Sequence, residues 1–196
     1  MKNFIATLAE QNQKRAQNII KESGIIDIWK SIGAEINLVG SLRMGLLMKH
    51  RDIDFHIYTE QLNVSDSFRA ISRLAQNQAI KKIEYGNLID TEEQCIEWHA
   101  WYLDTDNELW QIDMIHISKG SRYDGYFEKV ADNICAALTP ERKSTILTLK
   151  NETPESEKIM GIEYYQAVIQ DGVNNYEEFI EWRKNHPANG IIHWLP

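Results

Sequence analysis

Apolar positions along residues 4–22 fall at Phe4, Ile5, Leu8, Ile19 and Ile20, separated by polar residues at roughly helical spacing. This pattern predicts an amphipathic helix stopped by Gly24, with a second short helix over Ile25–Ile32. After Gly33 the run Ile36-Asn37-Leu38-Val39 predicts a short strand that ends at Gly40-Ser41. Residues 42–48 are apolar enough for a buried turn of helix. From Asp52 to Tyr58 apolar and polar residues alternate, the period of a strand with one covered face. Ser65 is placed to cap a helix carrying Phe68, Ile71 and Leu74. Two aromatic-rich strands, about 94–103 and 109–117, flank Asp104-Thr105-Asp106-Asn107, a hairpin signal.

Beyond Gly120 the pattern turns helical. Thr139-Pro140 and Thr153-Pro154 each set a capping residue before a proline, a combination that opens helices, and Asn175 is placed to cap another that ends before Pro187. The chain therefore reads as an α+β half, 1–120, followed by a helical half, 121–196, joined softly at Gly120-Ser121. Internal repeats and low-complexity stretches are absent from the sequence.

Composition narrows the function classes. The 196 residues are 43% hydrophobic, enough for a core, and no apolar run approaches the ~20 residues that cross a bilayer. The N-terminal apolar stretch is soon broken by Glu10, Gln11 and Lys14, against a secretory signal. Cys95 and Cys135 lack metal-type spacing, so both are expected to be structural thiols in a reduced, cytoplasmic setting. A net charge of −8 disfavours polynucleotide phosphate unless positive charge is locally gathered.

The chemistry is concentrated in Gly40-Ser41, ten intervening residues, then Asp52-Ile53-Asp54. On a strand Asp52 and Asp54 project from one face while Ile53, Phe55 and Ile57 pack behind. Two carboxylates this close repel unless protonated, hydrogen-bonded or bridged by cations, and magnesium, a hard ion that keeps sites for water and phosphate, suits them. Paired ions ~3.5–4 Å apart stabilise both the attacking and the leaving oxygen of a displacement at phosphorus. Gly40 lets backbone approach a phosphate, Ser41 adds a hydroxyl and Arg43 a charged donor at a helix start. Asp113, isolated in an apolar strand, needs a cation or a donor and is the candidate third carboxylate, placed to orient or deprotonate an acceptor hydroxyl.

Gly40-Ser41, the ten-residue gap, Asp52-Ile53-Asp54 and the distal Asp113 resemble the signature of the polymerase-beta-like nucleotidyltransferase superfamily, in the manner of its small bacterial antibiotic-modifying and antitoxin-type members. The resemblance implies a mixed sheet flanked by helices, two Mg²⁺ ions, and transfer of a nucleoside monophosphate to a hydroxyl with release of pyrophosphate. A second Gly-Ser, Gly120-Ser121, also lies ten residues ahead of an aspartate, Asp132, but Asn133-Ile134 follow and the pattern there is helical. The Asp-x-Asp strand is what makes the first copy specific.

Blander roles compete at each position. Asp52 and Asp54 could form a solvated strand edge, Asp113 could serve a backbone N–H, and Arg43 or Lys49-His50-Arg51 could simply be solvated. His56 and His116 are expected as core or rim histidines, and Trp98, Trp101 and Trp110 as hairpin packing. Lys143 and Lys150 lie too far along the chain to be assigned a phosphate role. Phosphate loops of the Gly-x-x-x-x-Gly-Lys type, Gly-x-Ser-x-Gly elbows and His-Glu-x-x-His motifs do not occur. The expectation is a nucleotidyltransferase using a nucleoside triphosphate, ATP first, with a small-molecule or protein acceptor. The rival is a binding or interaction module that kept the fold without turnover.

Overall fold

The computed structural model describes residues 2–188, 190 and 192–196. In chain order the elements are α1 (Lys2–Ser23), α2 (Ile25–Lys30), β1 (Glu35–Leu38), α3 (Gly40–Arg43), β2 (Asp52–Thr59), α4 (Val64–Leu74), β3 (Ile80–Leu88), β4 (Cys95–Leu103), β5 (Leu109–Ser118), α5 (Tyr126–Ala137), α6 (Pro140–Glu152), α7 (Gly161–Ile169) and α8 (Tyr176–Asn185). The strands form one sheet in the order β1-β2-β5-β4-β3. Only β2 and β5 run parallel; the other neighbours are antiparallel, so the sheet is mixed.

Alternation along the strands divides the sheet into two faces. Ile53, Phe55 and Ile57 of β2, Ile112 and Met114 of β5, and Ile96, Trp98 and Ala100 of β4 pack against Ile19, Ile25, Trp29, Ala70, Ile71 and Leu74 from α1, α2 and α4. Burying a side chain of this size contributes about 1.5–3 kcal/mol, which holds the strand register fast. The opposite face carries Asp52 and Asp54 on β2 and Gln111 and Asp113 on β5. A second core joins α5–α8, with Ile146, Leu149, Tyr164 and Phe179 at its centre. It also takes Ile5 and Ala9 from α1 and Met44, Leu46 and Met48 from the segment after α3.

Several elements differ from the sequence expectation. Asn63, not Ser65, caps α4, its side chain accepting the Asp66 N–H at 3.2 Å. Thr139 caps α6 as expected. Thr153, however, ends that same helix rather than opening the next; its hydroxyl donates back to Leu149 O at 2.9 Å, and α7 starts only at Gly161. The 42–48 segment contributes one helical turn, Gly40–Arg43, before running on irregularly with Met44 and Leu46–Met48 buried. Strand β3 has no counterpart in the pattern, because an edge strand with Lys81, Lys82, Glu84, Tyr85 and Asn87 exposed shows no clean alternation. Among the described residues no helix is long and apolar enough to cross a membrane.

Candidate active site

Parallel pairing of β2 with β5 sets Asp54 directly opposite Asp113, and Asp52 opposite Gln111. Since residues two apart share a face, all three carboxylates arrive on one side of the sheet, away from the α1–α2–α4 layer. Burial pushes the Asp54 carboxyl well above the usual carboxylate range, and the neighbouring charges of Asp52 and Asp113 push it further. Asp52 is raised for the same first reason, with Lys150 pulling the other way. A carboxylate pair in this condition calls for a proton or a cation.

Gly40 explains how α3 starts so close to them. Its φ is +66°, open to glycine at little cost, and a Cβ there would lie 1.9 Å from Asp54 Oδ2. Ser41 follows in a polar cage that the sequence did not reveal. Lys150, from the buried side of α6, donates to Ser41 Oγ at 2.8 Å, to Tyr165 Oη at 2.9 Å and to Leu46 O at 3.1 Å. Ser41 Oγ and Tyr165 Oη are themselves 3.0 Å apart. A buried ammonium needs such partners, and its charge lowers the energy of the carboxylates beside it. Arg43 turns elsewhere, donating to Leu38 O at 3.1 Å and pairing with Asp132 at 2.6 Å. Lys49 donates to Thr153 O at 2.7 Å, and Arg51 pairs with Glu108 at 2.6 Å.

Asp113 has its own supports. His99 on β4 hydrogen-bonds Asp113 Oδ1 through Nδ1, and Gln111 Nε2 donates to the same oxygen at 2.8 Å. Glu97 accepts from His99 Nε2 at 2.9 Å, and the His99 pKa is raised, its partners Asp113 and Glu97 outweighing the opposing effect of burial. Among the described residues no three His, Cys, Asp or Glu side chains are gathered around one point that would hold an ion. The donors nevertheless suit a hard divalent cation: three carboxylates on one face, two of them with raised pKa values.

Two hollows meet at Asp52 and Asp113. One, of about 360 Å³, runs under α5 and is walled by Phe55, Ile115, Tyr126, Phe127, Val130 and Tyr165. The other, of about 300 Å³, is mixed, lined by His50, Arg51, Gln111 and Lys158 together with Ile159 and Met160. His56 and His116 are both buried, as expected of core histidines. Burial holds each near a pKa of about 4. Trp98 and Trp110 are core residues, and Trp101 lies on the carboxylate face under Lys82, whose Nζ is 4.3 Å from its ring centre. Cys95 and Cys135 form no disulfide.

No family model and no curated protein matches the chain. Solved structures do. The MgGTP-bound Cid1 poly(U) polymerase superposes with a TM-score of 0.60 at 13% identity, over 85% of this chain and 54% of Cid1. The GLD-2–GLD-3 poly(A) polymerase complex gives 0.59 at 8% identity, over 84% of this chain and 57% of that one. The GLD-2/RNP-8 complex gives 0.59 at 9% identity, with 98% and 74% covered. The chain spans little more than half the length of Cid1 and of the GLD-2 chain bound to GLD-3. At such identities the likeness is one of architecture: the chain has the fold that it shares with Cid1 and GLD-2.

Proposed function

We propose that the chain is a metal-dependent nucleotidyltransferase, moving a nucleoside monophosphate from a nucleoside triphosphate, ATP first, to a hydroxyl of a small molecule or protein. The observation that carries this reading is the delivery of Lys150 Nζ to Ser41, 2.8 Å away, beside three carboxylates that share one sheet face. Ser41 and Lys150 would hold the triphosphate tail at the start of α3, and the apolar hollow under α5 would take the nucleoside. The acceptor would enter by the mouth that carries His50, Arg51, Gln111 and Lys158. Asp113, at the meeting of the two hollows, would receive the acceptor proton as the new oxygen–phosphorus bond forms and pyrophosphate leaves with the broken one. Asp52, Asp54 and Asp113 are the residues that would hold Mg²⁺, in a pair of ions, which when bound supplies charge neutralisation at phosphorus. Arg43, tied to Asp132, supports the start of α3 in this reading rather than touching phosphate.

The choice of acceptor rests on charge. The net charge is −8, and three cations that a nucleic-acid groove would draw on are engaged: Arg122 pairs with Glu92, Arg142 donates to Ala137 O and Ile169 O, and Lys150 is buried in the Ser41 cage. The RNA-directed names of Cid1 and GLD-2 favour the second reading, transfer to an RNA end.

Incubation with Mg²⁺ and each α-labelled triphosphate, with a metabolite extract or RNA as acceptor, tests both. Labelled product should form with the wild type, while Asp54→Asn and Lys150→Met should each lower turnover by at least about a hundredfold, the scale of several kcal/mol at the transition state. The melting temperature of Asp54→Asn should hold or rise, since a carboxylate repulsion is removed. A fully active Asp54→Asn protein would sink the mechanism, and a wild type that binds triphosphate without turnover would make the chain a binding module. Micromolar RNA binding that weakens steeply with salt would move the acceptor to nucleic acid.

A further inference from the structure

The hollow under α5 contains one buried polar side chain that the proposed reaction leaves unused. His56 is 6% exposed and lines that hollow one same-face position beyond Asp54 on β2. Its ring nitrogen Nδ1 is enclosed with no hydrogen-bond partner among the described residues. Glu128 on α5, the charge that acts on His56, directs its Oε1 at Tyr58 and Asn37, and its Oε2 is likewise enclosed without a hydrogen-bond partner among the described residues. An unsatisfied buried polar group is destabilising, so a wall position of this kind is retained at a cost unless something in the hollow answers it. His116 provides a comparison within the same sheet. It too is buried with Nδ1 unpartnered, but it bonds Thr59 Oγ1 at 2.9 Å and faces the opposite, helix-covered side.

Spacing and shape say which part of a ligand would meet His56. Two residues along a strand advance about 7 Å, so a phosphate at the carboxylates places the atoms attached to it at this depth. The rings around His56 are flat: Phe127 lies 4.6 Å from it, centre to centre, and Tyr126 and Tyr165 line the same hollow. A hollow with mainly aromatic and aliphatic walls, and an unpartnered imidazole besides the Ser41 hydroxyl, the Tyr126 and Tyr165 phenols and the carboxylates, suits a planar heteroaromatic ring stacked on its faces and read along its edge. Resting on the nucleotidyl-transfer reading above, we propose that His56 is the specificity-determining residue of the site: its imidazole hydrogen-bonds the edge of the nucleobase and decides which triphosphate is used.

The test is displacement of a fluorescent nucleotide by ATP, GTP, CTP and UTP, with Ca²⁺ in place of Mg²⁺ to prevent turnover. The wild type should prefer one base. In His56→Leu, checked for its melting transition, that preference should shrink by about tenfold, the worth of one neutral hydrogen bond at the upper end of its range. His56→Asn, which keeps a donor and an acceptor, should restore part of it. An analogue series on the unmodified protein removes any dependence on how the variants fold: triphosphates lacking the base's edge amino or carbonyl group should bind about tenfold more weakly than the parent. A wild type that binds all four bases alike, a His56→Leu protein with its preference intact, or edge-deleted analogues that bind as well as the parent would each overturn the assignment. Failure of the wild type to bind any triphosphate would instead sink the nucleotidyl-transfer reading, and this assignment with it.

Discussion

Two glycines with the same left-handed backbone serve different ends. Gly33 has φ +82° and open space where a Cβ would go, whereas Gly40 has φ +66° and the Asp54 carboxylate in that space. Alanine at either position incurs the left-handed backbone penalty, of about 1–3 kcal/mol for a non-glycine residue. Only Gly40→Ala should also displace Asp54 and take triphosphate turnover with it. Gly33→Ala should lower the melting temperature and leave turnover near wild type. Parallel melting curves and initial rates separate the two effects, and a Gly40→Ala protein with normal turnover would show that Asp54 need not stand where it does. Gly40, Ser41, Asp52 and Asp54 could be named as candidates from the sequence because they are neighbours on one short stretch of chain. Lys150, His99 and Tyr165 lay beyond it, since only packing of α6, α7 and β4 brings them to the carboxylates.

At the scale of elements, β2 and β5 were legible because each has one apolar and one polar face. Strand β3 was not, because an exposed edge has no covered face to impose alternation. Thr153 misled for a related reason: a threonine hydroxyl can cap a helix start or donate back to a carbonyl one turn earlier, and only the observed bond to Leu149 O decides. Strand β5 also carries a pH dependence in His116, set between Trp29 on α2 and Thr59 on β2. Burial lowers its pKa from 6.5 to about 4, against the pull of Asp66 on α4. In that window the unfolded chain binds the proton and the folded one does not, so stability falls as pH drops from 6.5 towards 4. Denaturant titrations across this range should show a dependence shallower by about one proton in His116→Gln. The difference between wild type and variant isolates this residue from Asp52 and Asp54, whose raised values act in the opposite sense. An unchanged slope would mean that His116 takes up its proton in the fold.

At the scale of the whole molecule, the two halves read from the sequence do not keep to separate packing. The helix α1 places Ala16, Ile19 and Ile20 in the core beneath the sheet and Ile5 and Ala9 among α5–α8, and the segment after α3 sends Met44, Leu46 and Met48 across as well. Such a shared girder makes the stability of each half conditional on the other. Calorimetry of the full chain should therefore show one transition, with calorimetric and van't Hoff enthalpies in agreement, and two resolved peaks would refute the coupling. Residues 1–120 expressed by themselves should lack a cooperative melt, with five apolar side chains stripped of their cover. Unfolding intermediates with one half intact are then too sparse to be populated, and the cleft between the halves exists only while the entire protein does.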